Sequence, residues 1–468
     1  MRLTILGGGG FRVPLVFRAL QGDPTVTELV LHDTDPLRLR VVAKILAEQA
    51  AGGPRGPRVR VETDLDTALR AADFVFSAMR VGGTEGRVRD EHIPLAEGVL
   101  GQETVGAGGV LYGLRTIPVA LHVAERVRAV APSAWVINFT NPAGMVTEAM
   151  ARVLGPRVIG ICDSPVGLVR RAARAAGADP DAPGFSYDYV GLNHLGWLRG
   201  LAADGRELLP GLLADPAALG SFEEGRLFGA EWLSALGSVP NEYLHYYYFR
   251  REALAAVRSA DATRGEFLHR RQSEFFAAAD RARGAGEGAA GESGGAGAGA
   301  EAGAGNGNGA GSDGGPSAYG LWDRARLERE ETYMAENRAA TGGWQRDPHD
   351  LDGGGYDKVA LALMRAIARD ERTVLILNVP GGGAVPLLDP DAVVEVPCEV
   401  GAFGARPIPV AAPDEHQAGL MLALKSVERA AIEAATTGSR AAALRALVRH
   451  PLVDSAAAAS RILTAAKW

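Results

Sequence analysis

Apolar residues recur along this chain with two different periods, and the first third alternates between them. Short apolar or alternating runs at 2–6, Glu28–His32, Arg58–Glu62 and Phe74–Ala78 read as strands, whereas Val13 to about Gln21 and 36–51 carry the apolar spacing of helices. A helix over about 113–130, a strand Ala134–Asn138, a helix from about 142 and a strand Val158–Ile161 continue the series. Alternating strands and helices predict a parallel sheet covered on both faces, the doubly wound form of an α/β protein.

Beyond about residue 163 the pattern is mixed. Phe185–Val190 and Leu195–Leu201 read as antiparallel strands, and helical spacing returns at about 222–236, 243–258, 264–282, 355–370 and 413–468. The expectation is an N-terminal doubly wound domain over 1–165 and a mixed α+β domain, mostly helical, over 166–468. Residues 284–316 are almost entirely Gly, Ala, Ser, Asn and Glu, a composition that cannot bury a core; they read as a disordered surface insertion.

Composition narrows the function. A chain of 468 residues with 47% hydrophobic content can bury one large core or two ordinary ones. A formal net charge of −7 argues against a nucleic-acid or membrane-surface binder, although a few local arginines would suffice for one small anion. The only cysteines, Cys162 and Cys398, cannot form a disulfide framework, which points to a reducing compartment. The stretch Met1–Leu6 runs straight into glycines without the apolar core of a signal peptide, and no apolar run approaches the ~20 residues of a membrane span. A cytoplasmic, soluble protein is expected.

The first strand leads into Gly7-Gly8-Gly9-Gly10 and then a helix, and the second strand ends at Asp33. That order suits a dinucleotide. Glycines let the backbone approach a pyrophosphate, and the helix N-terminus adds free amides and a positive dipole. Gly7, Gly9 and Gly10, with Phe11 and Arg12 behind them, are the candidate cofactor-binding turn; Arg12 stands where the usual third glycine would be. A carboxylate at Asp33 can accept from ribose hydroxyls and would repel a 2′-phosphate, which favours NAD over NADP. The bland alternative is an ordinary tight turn.

Polar residues gather at the ends of later strands, in Asn138-Phe139-Thr140-Asn141-Pro142, Cys162-Asp163-Ser164-Pro165 and Gly191-Leu192-Asn193-His194-Leu195-Gly196-Trp197. Ligands of parallel sheets bind beyond the carboxyl ends of strands, so the first two stretches converge on the dinucleotide crevice. Cys162 and His194 could share a divalent metal, with substrate oxygens completing its shell. Taken singly, the cysteine could be a small buried hydrophobe and the histidine merely structural. In Asn241-Glu242-Tyr243-Leu244-His245-Tyr246-Tyr247-Tyr248 the last tyrosines read as a packed aromatic face, and Tyr243 as a candidate base. Arg87, in the charged and glycine-rich stretch Arg80–Glu91, is a candidate clamp for a substrate anion; otherwise that stretch is a solvated loop.

Together these motifs resemble glycoside hydrolase family 4, the NAD- and manganese-dependent glycosidases. The carriers are the glycine turn with Asp33, Arg80–Glu91, Gly101–Thr104, Asn138–Pro142, Cys162–Pro165, Gly191–Trp197, Tyr243 with the tyrosines after it, Asn378–Pro380 and Val393–Cys398. The resemblance implies a Rossmann-type domain with a mixed second domain, assembled as a homodimer or homotetramer. It implies NAD and Mn2+ as cofactors and a sugar substrate, 6-phosphorylated in the related enzymes. Cys162 and His194 would be the metal ligands, Asn138 a cofactor contact, Asn141 and Arg87 substrate contacts, and Tyr243 the base. The implied reaction oxidises the sugar at C3, eliminates the aglycone, adds water and re-reduces the ketone, an exception to the usual pair of carboxylates. Phospho-β-glucosidases carry Cys-Asn-x-Pro, whereas this chain has Asp163, which is more like the α branch, where it serves as the acid. Asn193–Trp197 and the tyrosine stretch are more like the β branch. The reading is a 6-phospho-β-glucosidase, with a phospho-α-glucosidase as alternative. A simple dehydrogenase or a non-catalytic NAD-binding protein would share the glycine turn without needing the Cys–His pair.

Overall fold

Six parallel strands form the first half of the sheet: β1 (Arg2–Leu6), β2 (Glu28–His32), β3 (Arg58–Glu62), β4 (Phe74–Ser77), β5 (Trp135–Asn138) and β6 (Val158–Gly160). They lie in the order β3-β2-β1-β4-β5-β6 in a computed structural model that describes residues 1–291, 317–346 and 355–468. The order reverses between β1 and β4, so the helices that follow these two strands leave on opposite sides. A crevice therefore opens at the carboxyl ends of β1 and β4, the place where such sheets bind ligands. The strand residues of β1 and β4 are almost wholly buried, as central strands covered on both faces must be.

The sheet continues past β6. The later strands are β7 (Phe185–Leu192), β8 (Leu195–Ala203), β9 (Arg206–Glu207), β10 (Val239–Pro240), β11 (Thr373–Pro380), β12 (Val393–Gly401) and β13 (Gly404–Pro407). β11 joins β6 antiparallel at Asn378↔Gly160, β12 pairs with β11, and β7 joins β12 at Glu395↔Gly191. β8 and then β10 extend the same sheet. The doubly wound half and the later strands thus share one hydrogen-bonded layer, and β6–β11–β12–β7 carries the ends of the two halves to a common edge. β11 and β12 lie in the part expected to be mostly helical. Short apolar runs such as Val374–Val379 do not reveal their period, so spacing alone could not place them.

Two helices depart from expectation. Gly83–Ala96 is helical and buries Arg87, Asp90 and Glu91, where a solvated loop was the alternative. Its sequence has no apolar stripe; ion pairs to Arg115 and Glu103 hold it instead. The next helix, Gly106–Val130, starts before the expected residue 113. Its glycines are poor helix formers, but a Cβ on Gly108 would stand 2.1 Å from the Gln102 carbonyl oxygen. Close approach to 102–104 therefore demands glycine there. Of the segment expected to be a disordered insertion, 284–291 continues the helix Arg264–Gly291; 292–316 lies outside the described residues. No described helix is long and apolar enough to cross a membrane.

Candidate active site

The glycine turn is built by the ends of β1 and β2. Gly7 and Gly8 both donate to the His32 carbonyl, at 3.0 and 2.7 Å, and Gly10 donates back to Gly7 at 2.9 Å. Gly7 has φ +84°, and a Cβ there would lie 2.6 Å from the Ala78 carbonyl oxygen. The Gly9 amide donates to Asp33 Oδ2 at 3.0 Å and the Asp35 amide to Oδ1 at 3.1 Å. Asp33 therefore braces the turn, and each oxygen keeps a second lone pair for a ribose hydroxyl. The helix Val13–Leu20 has no side-chain cap, but the free amides expected at its start are already used: Val13 donates to the Gly10 carbonyl at 3.1 Å, Pro14 has no N–H, and Leu15 donates to the Arg12 carbonyl at 3.0 Å. Gly7, Gly10, Phe11 and Arg12 line a cavity of about 730 Å³ in front of this turn.

The loop after β5 forms the next wall. Asn138 is fully buried and bonds only its own surroundings: Nδ2 donates to Thr140 O, Ala143 O and Thr147 Oγ1, and Oδ1 accepts from the Thr140 amide. Its expected contact with the cofactor is thereby corrected. Its polar atoms are spent inside the loop, whose shape it fixes. That loop presents Asn141 to the cavity with a buried Oδ1 that has no partner. A buried amide oxygen without a donor is costly, and a ligand hydroxyl would relieve it.

Cys162 and Asp163 follow β6, and His194 sits in the two-residue turn between β7 and β8, which closes at Leu192↔Leu195. His194 has φ +62°, a left-handed backbone uncommon outside glycine. Cys162, Asp163, His194 and Tyr243 all line the same cavity. Burial depresses the His194 pKa to about 3, so its imidazole is neutral with a lone pair to give. Burial, with Glu395, Asp163 and Glu242 nearby, pushes the Cys162 thiol well up. A cation would reverse that balance, so a soft thiolate and a neutral imidazole are a donor set that fits a divalent metal. No group of three or more His, Cys, Asp or Glu side chains capable of holding a metal is present among the described residues. A metal held by these two side chains alone would have open positions for substrate. Asp163 stands at the N-cap of the helix Ser164–Ala175 and accepts from Gly167 N through its backbone carbonyl alone, so its carboxylate is kept for the cavity.

Tyr243 lies in a short turn, Glu242–Leu244, held by the Asn241 side chain, and its ring stacks on His194 with centroids 3.7 Å apart. The tyrosines after it do pack as an aromatic face: Tyr248 accepts from Trp197 Nε1 at 2.9 Å and stacks near His416.

Arginines form the remaining wall. Arg87 is buried, with Nε 2.8 Å from Glu91 and Nη1 2.6 Å from Glu103, and Arg80 also bonds Glu103. Arg264 and Arg329 line the same cavity, and neither is in an ion pair among the described residues. Arg264 donates only to Thr332 Oγ1 and the Arg329 carbonyl. Burial and the Arg87 charge lower its pKa to about 10; burial with Arg12, Arg264, Arg80 and Arg87 pushes Arg329 well down. Crowded, desolvated guanidinium groups are a receptor for a multiply charged anion.

Besides Arg264 and Arg329, sequence reasoning missed three residues here. Glu395, inside the apolar strand β12, accepts from Tyr189 Oη (2.9 Å), Asn378 Nδ2 (2.9 Å) and Asn193 Nδ2 (3.3 Å), and so anchors the turn that presents His194. Burial raises its pKa to about 7. A lone glutamate among valines was the available signal. Glu242, beside Tyr243, is raised to about 7 by burial and by Glu224. Tyr333 comes from a distant connection that no motif marks.

Comparison with known proteins places these motifs in context. The family model described as Family 4 glycosyl hydrolase matches residues 2–178, and that of the Family 4 glycosyl hydrolase C-terminal domain matches 189–453. The chain is 32% identical to the "Probable 6-phospho-beta-glucosidase" of Bacillus subtilis (strain 168), over 98% of this chain and 94% of that protein. It is 29% identical to the "6-phospho-alpha-glucosidase 1" of Lacticaseibacillus paracasei, over 98% and 95%. Among solved structures, a 6-phospho-alpha-glucosidase from gut microorganisms in complex with NAD and Mn2+ superposes with a TM-score of 0.74 at 25% identity, over 99% of this chain and 97% of that one.

Proposed function

The chain belongs to family 4 of the glycosyl hydrolases, and from that premise we propose that it hydrolyses 6-phospho-β-glucosides with the help of NAD and a divalent metal, manganese by analogy. One observation carries the reading. The glycine turn, the Cys162–His194 pair, Tyr243, Asn141 and the arginine wall all line a single cavity. A dehydrogenase would not need the thiol–imidazole pair, and an ordinary glycosidase would not need the glycine turn.

Gly7, Gly10, Arg12 and Asp33 would hold the dinucleotide, and Cys162 with His194 the metal. Bound there, the two groups supply a reversible hydride acceptor and a Lewis acid for the sugar's C3 oxygen. The chain's own residues do the rest. The arginines bind the 6-phosphate and set the sugar's position. Asn141 Oδ1 accepts from a ring hydroxyl. Tyr243 Oη takes the proton from C2, which lets the bond from C1 to the aglycone oxygen break. The Asp163 carboxyl, or a water, protonates the departing oxygen. Burial of His194 and Cys162 keeps bulk water from their donor atoms. Assembly as a homodimer or homotetramer rests on the family resemblance, and light scattering reads it. Two free, buried cysteines suit a reducing cytoplasm.

Asp163 supports a second reading, cleavage of 6-phospho-α-glucosides, because an unengaged carboxylate beside the metal pair can serve as an acid. The deciding assay uses p-nitrophenyl α- and β-glucosides, each with and without a 6-phosphate, with NAD, Mn2+ and a thiol reductant. Turnover of the phosphorylated β-glucoside alone supports the first reading, and of the α-glucoside alone the second. Undiminished hydrolysis after removal of both dinucleotide and metal, or stoichiometric release of NADH, would sink both.

A further inference from the structure

We propose that Tyr333 and Glu242 form a proton relay behind Tyr243, so that the proton taken from the sugar's C2 is balanced by one delivered to the Glu242 carboxylate; the proposal rests on the reading of Tyr243 as the base. Tyr333 reaches the site from the connection between the helices Ala318–Glu331 and Ala335–Ala340. Its Oη lies 3.4 Å from Tyr243 Oη and 3.3 Å from Glu242 Oε1. All three residues line the cavity, so the chain of oxygens borders the space the sugar would take.

Glu242 has the features of an acceptor and lacks those of a structural anchor. It is 4% exposed and in no ion pair among the described residues. The neighbouring Arg171 bonds Glu224 through Nε and Nη2. Glu242 Oε1 accepts from Ser164 Oγ at 2.6 Å and from Tyr333, while Oε2 is buried with no partner. A carboxylate kept for packing alone would normally be paired or fully hydrogen-bonded. A phenol that receives a proton from carbon must lose its own, and Tyr333 is the group positioned to take it.

The step balances without an outside reagent. The C2–H bond breaks and its electron pair stays with the sugar; the proton forms a bond to Tyr243 Oη. Tyr243's own proton passes to Tyr333 Oη, and Tyr333's to Glu242 Oε1. The carboxylate becomes neutral as the sugar becomes anionic, which spares the buried site a separated charge pair. After water has added at C1, the same hydrogen bonds run in reverse and return the proton to C2.

The test uses the full chain loaded with NAD and Mn2+, a 6-phosphoglucoside carrying deuterium at C2, and the variants Glu242→Gln, Tyr333→Phe and the two combined. Expected are a kcat about tenfold or more lower in each single variant, KM within about twofold, a larger C2 isotope effect, and a double variant no worse than the poorer single one. Glu242→Asp should recover part of the loss. If Glu242→Gln fails to fold, Tyr333→Phe decides alone. Unchanged kcat and isotope effect in the folded variants, or strictly additive losses, overturn the relay. Tyr243→Phe separates the two readings. If that variant still exchanges the C2 proton with solvent, the assignment of Tyr243 as base falls, and the relay with it. If it loses exchange while Glu242→Gln and Tyr333→Phe keep it, only the relay falls.

Discussion

The imidazole of His194 and the phenol of Tyr243 lie face to face, with ring centroids 3.7 Å apart and planes 10° apart. The stack couples the proposed metal ligand to the proposed base, because neither ring can turn without displacing the other. Tyr243→Phe keeps the stack and removes only Oη. It should bind Mn2+ and melt as the unsubstituted protein does, while kcat falls by about a hundredfold or more. Tyr243→Ala removes the stack and should also weaken metal binding by about tenfold, as losses of orienting neighbours do. Isothermal titration with Mn2+ beside steady-state kinetics separates the two. Equal metal affinities in both variants would show that the stack does not orient His194.

Cys162 and His194 are the only Cys–His pair at the cavity among the described residues, so each should be indispensable for metal. Cys162→Ser and His194→Ala should each abolish tight Mn2+ binding and lower activity by at least about a thousandfold. Peroxide that oxidises Cys162 should abolish metal binding, and thiol reductant added before over-oxidation should restore it, because an oxidised thiol no longer ligates. Elemental analysis after desalting reads the first effect. Retention of stoichiometric metal by either variant would remove the pair from the site.

Glu395 gives a pH dependence whose sign can be worked out. Its folded pKa is raised to about 7 from an ordinary 4.5 by burial in the sheet. The folded state therefore holds a proton that the unfolded chain releases between these values. The corresponding stability is fully present below pH 4.5 and is lost as pH rises through 7. The amount is on the order of 3 kcal/mol at most. In metal-free protein, Glu395→Gln should flatten the part of the fall in Tm between pH 5 and 8 that this carboxyl causes. Thermal melts across that range measure it. A melting profile identical in slope to that of the unsubstituted protein counts against this assignment.

The parallel half of the fold was legible because its signals are local. The glycine turn, the second strand ending in Asp33 and the alternation of periods each need only a few neighbouring residues. Cys162, His194 and Tyr243, which line one cavity, could be singled out because they sit at strand or turn ends in motifs with unusual polarity. The missed residues share a different property. Glu395 reaches Asn193 across 202 positions of sequence, and Tyr333 reaches Tyr243 across 90. Their meaning depends on which strands and helices become neighbours, and spacing along the chain does not carry that. Asn138 erred in the opposite direction. Its motif marked the right loop, but only the closed loop reveals that its hydrogen bonds are all internal.

The arginine wall makes the last prediction, because its cost and its use have opposite signs. Burial and like charges lower the pKa of Arg264 to about 10 and push Arg329 well below its usual range, so both cations are held against repulsion when no anion is present. Arg329→Met removes one of the crowded charges, together with the guanidinium that lies 5.9 Å from the Phe11 ring centroid, and keeps an apolar side chain of similar length. The metal- and substrate-free variant should therefore melt at a higher temperature than the unsubstituted protein. The same variant should bind 6-phosphorylated substrate more weakly, with KM raised about tenfold to a hundredfold, the usual worth of one charge-assisted contact. Unphosphorylated glucoside should be affected by no more than about twofold. Added inorganic phosphate should stabilise the unsubstituted protein more than the variant, since ligand binding to the folded state alone raises its stability. A variant that melts lower and loses both substrates alike would mark Arg329 as part of the packing and not of the anion receptor.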